Sequence, residues 1–345
     1  MTVSTAVVLA ARPHGQPELT DFRMESRELP EPAAGEVVLR TVYLSLDPYM
    51  RGRMNETKSY ATPVALGGVM EGGTVSEVVE SRTAALTPGD LVLSRHGWQT
   101  HAVVGADDLR PLASGGAPLS AHLGILGMPG FAAYIGVEEI GRPRAGETFV
   151  VAAATGAVGS AAGQFAKIRG ARVVGIAGGS RKVEWMRETL DFDVALDHRS
   201  PTFADDLRDA VPDGIDVYFE NVGGRVWDAV FPHLNDFARV PVCGLVSQYN
   251  LTGTSPGPDR LPDLMSAINV KRMMFRGFTQ RDFAATHAEP FHRDVTRWWS
   301  EGRLAYLEDV VDGLENAPAA FLGMLRGENF GKLVVRVGPE PAASR

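Results

Sequence analysis

The residues best suited to chemistry lie in one short turn, Ala154-Thr155-Gly156-Ala157-Val158-Gly159, between an apolar run at 149–153 and a small-residue stretch at 158–169. A strand, a glycine turn and a helix in that order make a dinucleotide-binding βα turn. Gly156 would let the backbone approach a pyrophosphate, and Gly159 would let the helix lie close on the strand. The N–H groups of Ala157, Val158 and Gly159 would face the phosphates, backed by the positive end of the helix dipole. Ala154 stands where the usual pattern has its first glycine, so the sharp bend is expected there, with a modest local adjustment. The plainer alternative is a Gly-rich turn in an ordinary α/β crossover.

An NAD site carries an acid about 20 residues further on, at the end of the second strand, to hold the ribose hydroxyls. This chain has Gly178-Gly179-Ser180-Arg181-Lys182 there instead. A hydroxyl and two cations suit a 2′-phosphate, which a carboxylate would repel. His198 and Arg199 follow the next short strand and are expected to converge on the same pocket. NADP(H) is therefore the expected cofactor, although Arg181 and Lys182 would also suit a solvated helix start.

A catalytic zinc needs Cys, His or carboxylate ligands around an open position. The chain has one cysteine, Cys243, and the close histidine pair His96 and His101 has no cysteine beside it. Leu66-Gly67-Gly68-Val69-Met70-Glu71-Gly72-Gly73 stands where a His-Glu pair would be expected. No metal site is expected. A serine hydrolase is also poorly supported, since no Gly-x-Ser-x-Gly string occurs and Ser160 falls inside the dinucleotide turn. Hydride transfer without a metal calls for an acceptor that is already activated. A C=C bond conjugated to a carbonyl qualifies: hydride adds at the β-carbon, and the oxygen that gains charge needs only hydrogen-bond donors.

The elements that must position these groups follow from the pattern. The 345 residues suit two moderate domains. The first third is dense in Gly and Pro, with short strands at 36–42, 74–79 and 91–93, and reads as a small barrel-like or sandwich domain. From Leu126 onward, strand-like runs at 149–153, 171–176, 194–196, 214–219 and 238–243 alternate with helix-like runs at 158–169 and 182–190. That alternation predicts an α/β architecture, a doubly wound parallel sheet with crossover helices. Pro241 predicts a bulge or a strand near its limit. Helices at 291–300 and 318–325 precede a last strand at 332–337, which is expected to return to the first domain, with 339–345 frayed. The expected division is 1–125 and 296–345 for the substrate domain and 126–295 for the nucleotide domain.

The net charge of −8 argues against a large nucleic-acid footprint without excluding a local basic pocket. No apolar stretch approaches the roughly 20 residues that span a bilayer. Residues 1–12 carry no basic, apolar and small-residue leader, and one cysteine forbids an internal disulfide, so a cytoplasmic location is expected.

Several strings together resemble one family: Leu44-Ser45-Leu46-Asp47-Pro48-Tyr49-Met50-Arg51, Leu126-Gly127-Met128-Pro129-Gly130, Phe219-Glu220-Asn221-Val222-Gly223-Gly224, Cys243-Gly244 with Ser247-Gln248-Tyr249-Asn250, and Gly327-Glu328-Asn329-Phe330-Gly331-Lys332. With the glycine turn they are similar, in order and across essentially the whole chain, to the zinc-independent medium-chain reductases typified by prostaglandin reductases and alkenal double-bond reductases. The resemblance implies a Rossmann domain beside a GroES-like, mainly β substrate domain, NADP(H) use, reduction of α,β-unsaturated ketones or aldehydes, and a homodimer. It implies that Lys182 contacts the 2′-phosphate. Met128, Ser180, Arg181, His198, Asn221, Cys243, Gly244, Phe278, Thr279 and Asn329 would join the glycine turn around the cofactor. Tyr249 would lie beside the nicotinamide as a candidate donor to the substrate oxygen, a proton that solvent or a ribose hydroxyl can also supply. Tyr49 would face the substrate. From the residues alone, Tyr49 equally suits a loop anchor and Tyr249 a packing contact, and Cys243 suits a small buried position better than a nucleophile. Three departures bear on specificity: Ala132 where relatives often have Thr, His198 where a Tyr often assists the phosphate, and Arg281 where a Tyr is common. A quinone oxidoreductase and a non-catalytic NADPH-binding redox sensor are the alternatives; the Tyr49, Asn221 and Tyr249 set favours chemistry.

Overall fold

The computed structural model describes residues 2–112, 116–253 and 258–341. Its chain divides into two units, Met1–Leu123 with Glu308–Arg345, and Gly124–Leu307.

The first unit opens with β1 (Val3–Leu9) and β2 (Phe22–Glu28), paired antiparallel. Then come β3 (Glu36–Ser45), a single helical turn α1 (Met50–Arg53), β4 (Thr74–Ser81), β5 (Leu91–Ser94), β6 (His101–Gly105) and β7 (Arg110–Pro111). Nearly every residue of β3 is buried, which fits its central place. It pairs along its length with β4, through register shifts at Val38/Leu39 and Thr41/Tyr43 that add twist. Its first half also pairs with β6.

The second unit carries α2 (Met128–Ile135), β8 (Thr148–Ala152), α3 (Ala157–Ile168), β9 (Arg172–Ala177), α4 (Ser180–Glu188), β10 (Val194–Asp197), α5 (Phe203–Ala210), β11 (Ile215–Phe219), α6 (Gly224–Val230), β12 (Leu234–Val242), α7 (Leu261–Lys271), β13 (Met274–Gly277) and α8 (Ala284–Ser300). Among the described residues the strands lie in the order β10-β9-β8-β11-β12-β13, each parallel to its neighbour. Renumbered within the sheet this is 3-2-1-4-5-6, the doubly wound nucleotide-binding order. The central strand β8 is buried at every position, as a parallel strand covered on both faces must be. Phe131, Tyr134, Phe165, Phe291 and Trp298, from α2, α3 and α8, pack in one core with Phe149 and Phe219. Phe203, Leu207, Val226 and Val230, from α5 and α6, form the other with Val150 and Tyr218.

The chain then returns to the first unit as β14 (Glu308–Asp312), α9 (Ala317–Leu325) and β15 (Lys332–Arg336). β15 runs antiparallel to the second half of β3 and parallel to β14.

Two expectations need correction. A boundary at 295/296 would cut α8, whose Phe291, Val295 and Trp298 share one core, and the units divide instead at Leu307/Glu308. Pro241 stands one residue before the end of β12, the strand limit expected of it, and makes no bulge: it pairs regularly with Arg276, its carbonyl accepts the Glu220 N–H, and the irregular residue of β12 is Phe237, at φ 62°. The tail is anchored beyond 338: Arg40 donates to the Pro339 carbonyl (2.9 Å) and the Tyr43 hydroxyl donates to Glu340 (2.6 Å). Residues 342–345 lie outside the described residues.

Candidate active site

A parallel sheet brings all its strand ends to one edge, and the candidate residues of the second unit follow those ends. The glycine turn follows β8, Ser180, Arg181 and Lys182 follow β9, and His198 follows β10. Asn221 follows β11, Cys243, Gly244 and Tyr249 follow β12, and Phe278 and Thr279 follow β13. Met128 opens α2, ahead of the sheet, while Tyr49 and Asn329 belong to the first unit.

At the glycine turn, a Cβ on Gly159 would stand 2.3 Å from the Ala153 carbonyl oxygen and 3.0 Å from the Ala154 Cα. Only glycine lets α3 start this close to the end of β8. A Cβ on Gly156 would meet nothing nearer than the same oxygen at 3.3 Å, so the chain itself crowds a side chain there far less than at Gly159. The sharp bend lies one residue earlier than expected, at Ala153 with φ 51°, while Ala154 is buried and donates to the Ile176 carbonyl. A left-handed alanine costs about 1–2 kcal/mol.

Beyond β9, Gly179 at φ 97° leads into α4, so Ser180, Arg181 and Lys182 form the first helical turn. Cations at the positive end of a helix are unfavourable by about 0.3–1 kcal/mol each, a cost that a bound anion reverses. His198 and Arg199 converge on the same place: a Cβ on Gly178 would stand 2.7 Å from Arg199 Nε and 2.9 Å from His198 Nε2. Burial lowers the His198 pKa, and the charges of Arg199, Arg225 and Lys182 lower it further against Asp197. Asp197 is an acid that a search along β9 misses. It pairs in register with Ala177, the last residue of β9, and its carboxylate accepts the backbone N–H groups of Gly179 and Arg199. Those bonds hold its pKa below the usual range despite partial burial. Its oxygens thus brace the glycine turn.

After β11, the Asn221 side chain donates to the Ala152 carbonyl (2.8 Å), joining this loop to the end of β8. Glu220, quoted in the sequence only as part of a string, is the anchor beneath it. Its buried Oε1 accepts the N–H groups of Val222 (2.7 Å) and Gly223 (2.9 Å) and the Tyr218 hydroxyl (3.1 Å). Burial pushes its carboxyl above the usual range against those donors. The Glu220 carbonyl accepts the N–H groups of Cys243 and Gly244, so the loop after β12 hangs from the loop after β11. A Cβ on Gly244 would stand 3.0 Å from the Tyr249 hydroxyl oxygen. The phenol therefore lies over Gly244, beside Asn221. Burial pushes the Cys243 thiol up to about 12, which does not suit a nucleophile.

In the first unit a buried ion pair joins two of the sequence strings. Lys332 donates to Asp47 Oδ1 (3.0 Å) and to the carbonyls of Leu46 (2.7 Å) and Leu333 (3.0 Å), and Ser45 donates to the other Asp47 oxygen. The loop ending in Tyr49 is held to β15 in this way. Burial and the nearby Asp47 and Glu71 push the Tyr49 pKa well above its ordinary value, so its phenol stays protonated. Asn329 turns back on its own loop, donating to the Gly331 carbonyl (2.9 Å). Among the described residues, no three His, Cys, Asp or Glu side chains group so that they could hold a metal ion. Nor is any helix long and apolar enough to cross a membrane.

Comparison with known proteins bears directly on this edge. Residues 5–112 match the N-terminal domain of oxidoreductases, and residues 157–290 match the family described as zinc-binding dehydrogenase. The NADPH-dependent curcumin reductase of Escherichia coli (strain K12) is 53% identical over 330 residues, covering 96% of each chain. The chain belongs to the zinc-independent medium-chain dehydrogenase/reductase family, in its alkenal and prostaglandin reductase branch. Prostaglandin reductase 1 of Bos taurus, from that branch, is 40% identical over 327 residues, covering 93% of this chain and 95% of the relative. The crystal structure of CurA from Vibrio vulnificus in complex with NADPH superposes with a TM-score of 0.94 at 48% identity, covering 97% of this chain and 100% of that one. The matched zinc-binding description covers the nucleotide-binding half, whose only cysteine is the half-buried Cys243.

Proposed function

We propose that the protein reduces the activated C=C bond of α,β-unsaturated ketones or aldehydes with NADPH, without a metal. One observation carries the assignment: the same sheet edge holds a helix start pressed against Ala153 by Gly159, a basic group gathered over Gly178, and a phenol over Gly244. These features fit the dinucleotide. Ala157, Val158 and Gly159 offer backbone N–H groups to a pyrophosphate, and Gly156 leaves the space a side chain would fill. Ser180, Arg181, Lys182 and His198 suit the 2′-phosphate, with Asp197 turned onto backbone donors. Asn221, Cys243, Gly244, Phe278, Thr279 and Met128 would line the rest. When bound, NADPH would supply the hydride for the β-carbon of the substrate.

The chain's own part is to orient and to donate. A phenol that stays protonated donates a hydrogen bond to a carbonyl oxygen, and the bond strengthens as charge builds there. Tyr249 would take that role, as the candidate proton donor to the reduced substrate. Ala132 and Arg281 would shape which enones are accepted. The test is NADPH oxidation over a panel of enals, enones, quinones and saturated aldehydes. Turnover of enals and enones is expected. Turnover of quinones alone would make the protein a quinone oxidoreductase, and silence across the panel would leave a non-catalytic NADPH-binding protein.

The working form would be a cytoplasmic homodimer, not bound to nucleic acid. Supporting the dimer, β13 ends the sheet, and Met265, Val270 and Met274 are exposed on α7 and β13. Light scattering should give twice the chain mass, and Val270→Glu with Met274→Glu should shift it toward one.

A further inference from the structure

We propose that Arg225 is a specificity-determining residue of the phosphate pocket, reaching across the sheet from β11 to hold a 2′-phosphate together with Lys182, His198 and Arg199. The inference rests on the NADPH assignment and adds to it a residue of the helix after β11, which a search confined to β9 and β10 does not reach.

In the sheet, β11 is separated from β10 by β8 and β9, yet Arg225 Nη2 donates to the Ser200 carbonyl (3.1 Å), just past His198 and Arg199. The reach is possible because α5 and α6, which leave β10 and β11, share one core on the same face of the sheet. Arg225 stands in the first turn of α6, directly after Gly223 and Gly224. The bond to Ser200 uses one of the five N–H groups of a guanidinium, a rigid fork suited to phosphate.

The charges around it are unbalanced. Asp228, one turn further along α6, pairs with Arg260. Asp197 accepts the backbone N–H groups of Gly179 and Arg199, and its single charge acts on His198 and Arg199 against the three cations Arg199, Arg225 and Lys182. Among the described residues neither Arg199 nor Arg225 pairs with a carboxylate. Cations from three loops thus gather at one end of the sheet edge, where an anion of two charges would relieve their repulsion.

The test is calorimetric titration of the full-length protein with 2′,5′-ADP, which carries the 2′-phosphate, and with 5′-ADP, which lacks it. The wild type should prefer 2′,5′-ADP. Arg225→Ala should weaken 2′,5′-ADP about tenfold, the worth of one charge-assisted contact, and 5′-ADP less than about twofold. Arg225→Lys should recover part of the loss. Because the side chain is exposed, the unliganded melting temperature should hold, and that measurement accompanies the titration. An equal loss for both ligands, or none for either, would overturn the role of Arg225 while leaving the NADPH assignment intact. A wild type with no preference for 2′,5′-ADP would overturn both.

Discussion

Replacing Gly159 with alanine sets a backbone clash against the geometry of the nucleotide site. The new Cβ would stand 2.3 Å from the Ala153 oxygen, and ordinary contact needs about 3.4 Å, so the start of α3 must retreat by about 1 Å. Ala153 cannot easily swing its carbonyl aside, because that oxygen also accepts the Gly156 N–H at 2.9 Å. Overpacking of this kind costs about 1–3 kcal/mol, and alanine returns about 1 kcal/mol of helix propensity, so folding should lose at most about 2 kcal/mol. Binding should lose more. An N–H drawn back by about 1 Å from a phosphate oxygen no longer makes a hydrogen bond, and two such charge-assisted bonds are worth about 3 kcal/mol or more, roughly 100-fold in affinity. The assay is fluorescence titration with NADPH, paired with urea denaturation of the unliganded protein. Gly156→Ala is the contrast: its Cβ would meet the same oxygen at 3.3 Å, a few tenths of an ångström too close, so stability should fall by less than about 1 kcal/mol while NADPH still binds more weakly. A folded Gly159→Ala protein that binds NADPH within threefold of wild type would refute the proposed contact between this helix start and the phosphates.

His96 makes stability depend on pH. Its ring nitrogens meet the Thr41 hydroxyl (2.7 Å) and the hydroxyls of Ser94 and Thr74, and burial, then His101, lowers its pKa to about 4. The unfolded chain would bind a proton near 6.5, so the unfolded state takes up more protons as pH falls. The stabilisation is full above pH 6.5 and is lost down to about pH 4, up to about 3 kcal/mol. Denaturant titrations at pH 7.5, 6 and 5 should show this slope flattened in His96→Gln; equal slopes would refute it. Lys332→Met should cost about 3–5 kcal/mol in urea denaturation by stranding Asp47, and adding Asp47→Asn should restore part of it. If the double variant is no more stable than the single, the pair is not the source of the loss. Tyr249→Phe should lower kcat at least about tenfold, and by more than it raises the NADPH Kd; an unchanged kcat would reduce Tyr249 to packing.

Much of this was legible in the sequence because the signals are local. The run 149–153 is apolar because β8 is covered on both faces, and the glycine spacing follows from helix α3 crossing the end of that strand. α7 escaped because its core-facing side, with Ala267 and Ile268, is only half-buried, while Leu261, Met265 and Val270 stand exposed and blur the apolar stripe. The position of the bend escaped because the pattern marks Ala154 while the backbone turns at Ala153. Asp197 and Arg225 depend on strand order. Asp197 reaches Gly179 only because β10 pairs in register with β9, and Arg225 reaches Ser200 across two intervening strands. One local hint was available for Arg225: Gly223-Gly224-Arg225 resembles the Gly178-Gly179-Ser180-Arg181 turn after β9. The Lys332–Asp47 pair joins strings nearly a whole chain apart, which spacing alone could not reveal.

The most direct measurement follows the hydride itself. NADPH deuterated at both C4 positions, incubated with the protein and an enone, should yield the saturated ketone with one deuterium on the β-carbon, located by mass spectrometry and NMR. An allylic alcohol with deuterium on the former carbonyl carbon, or a product without deuterium, would contradict conjugate reduction at this site.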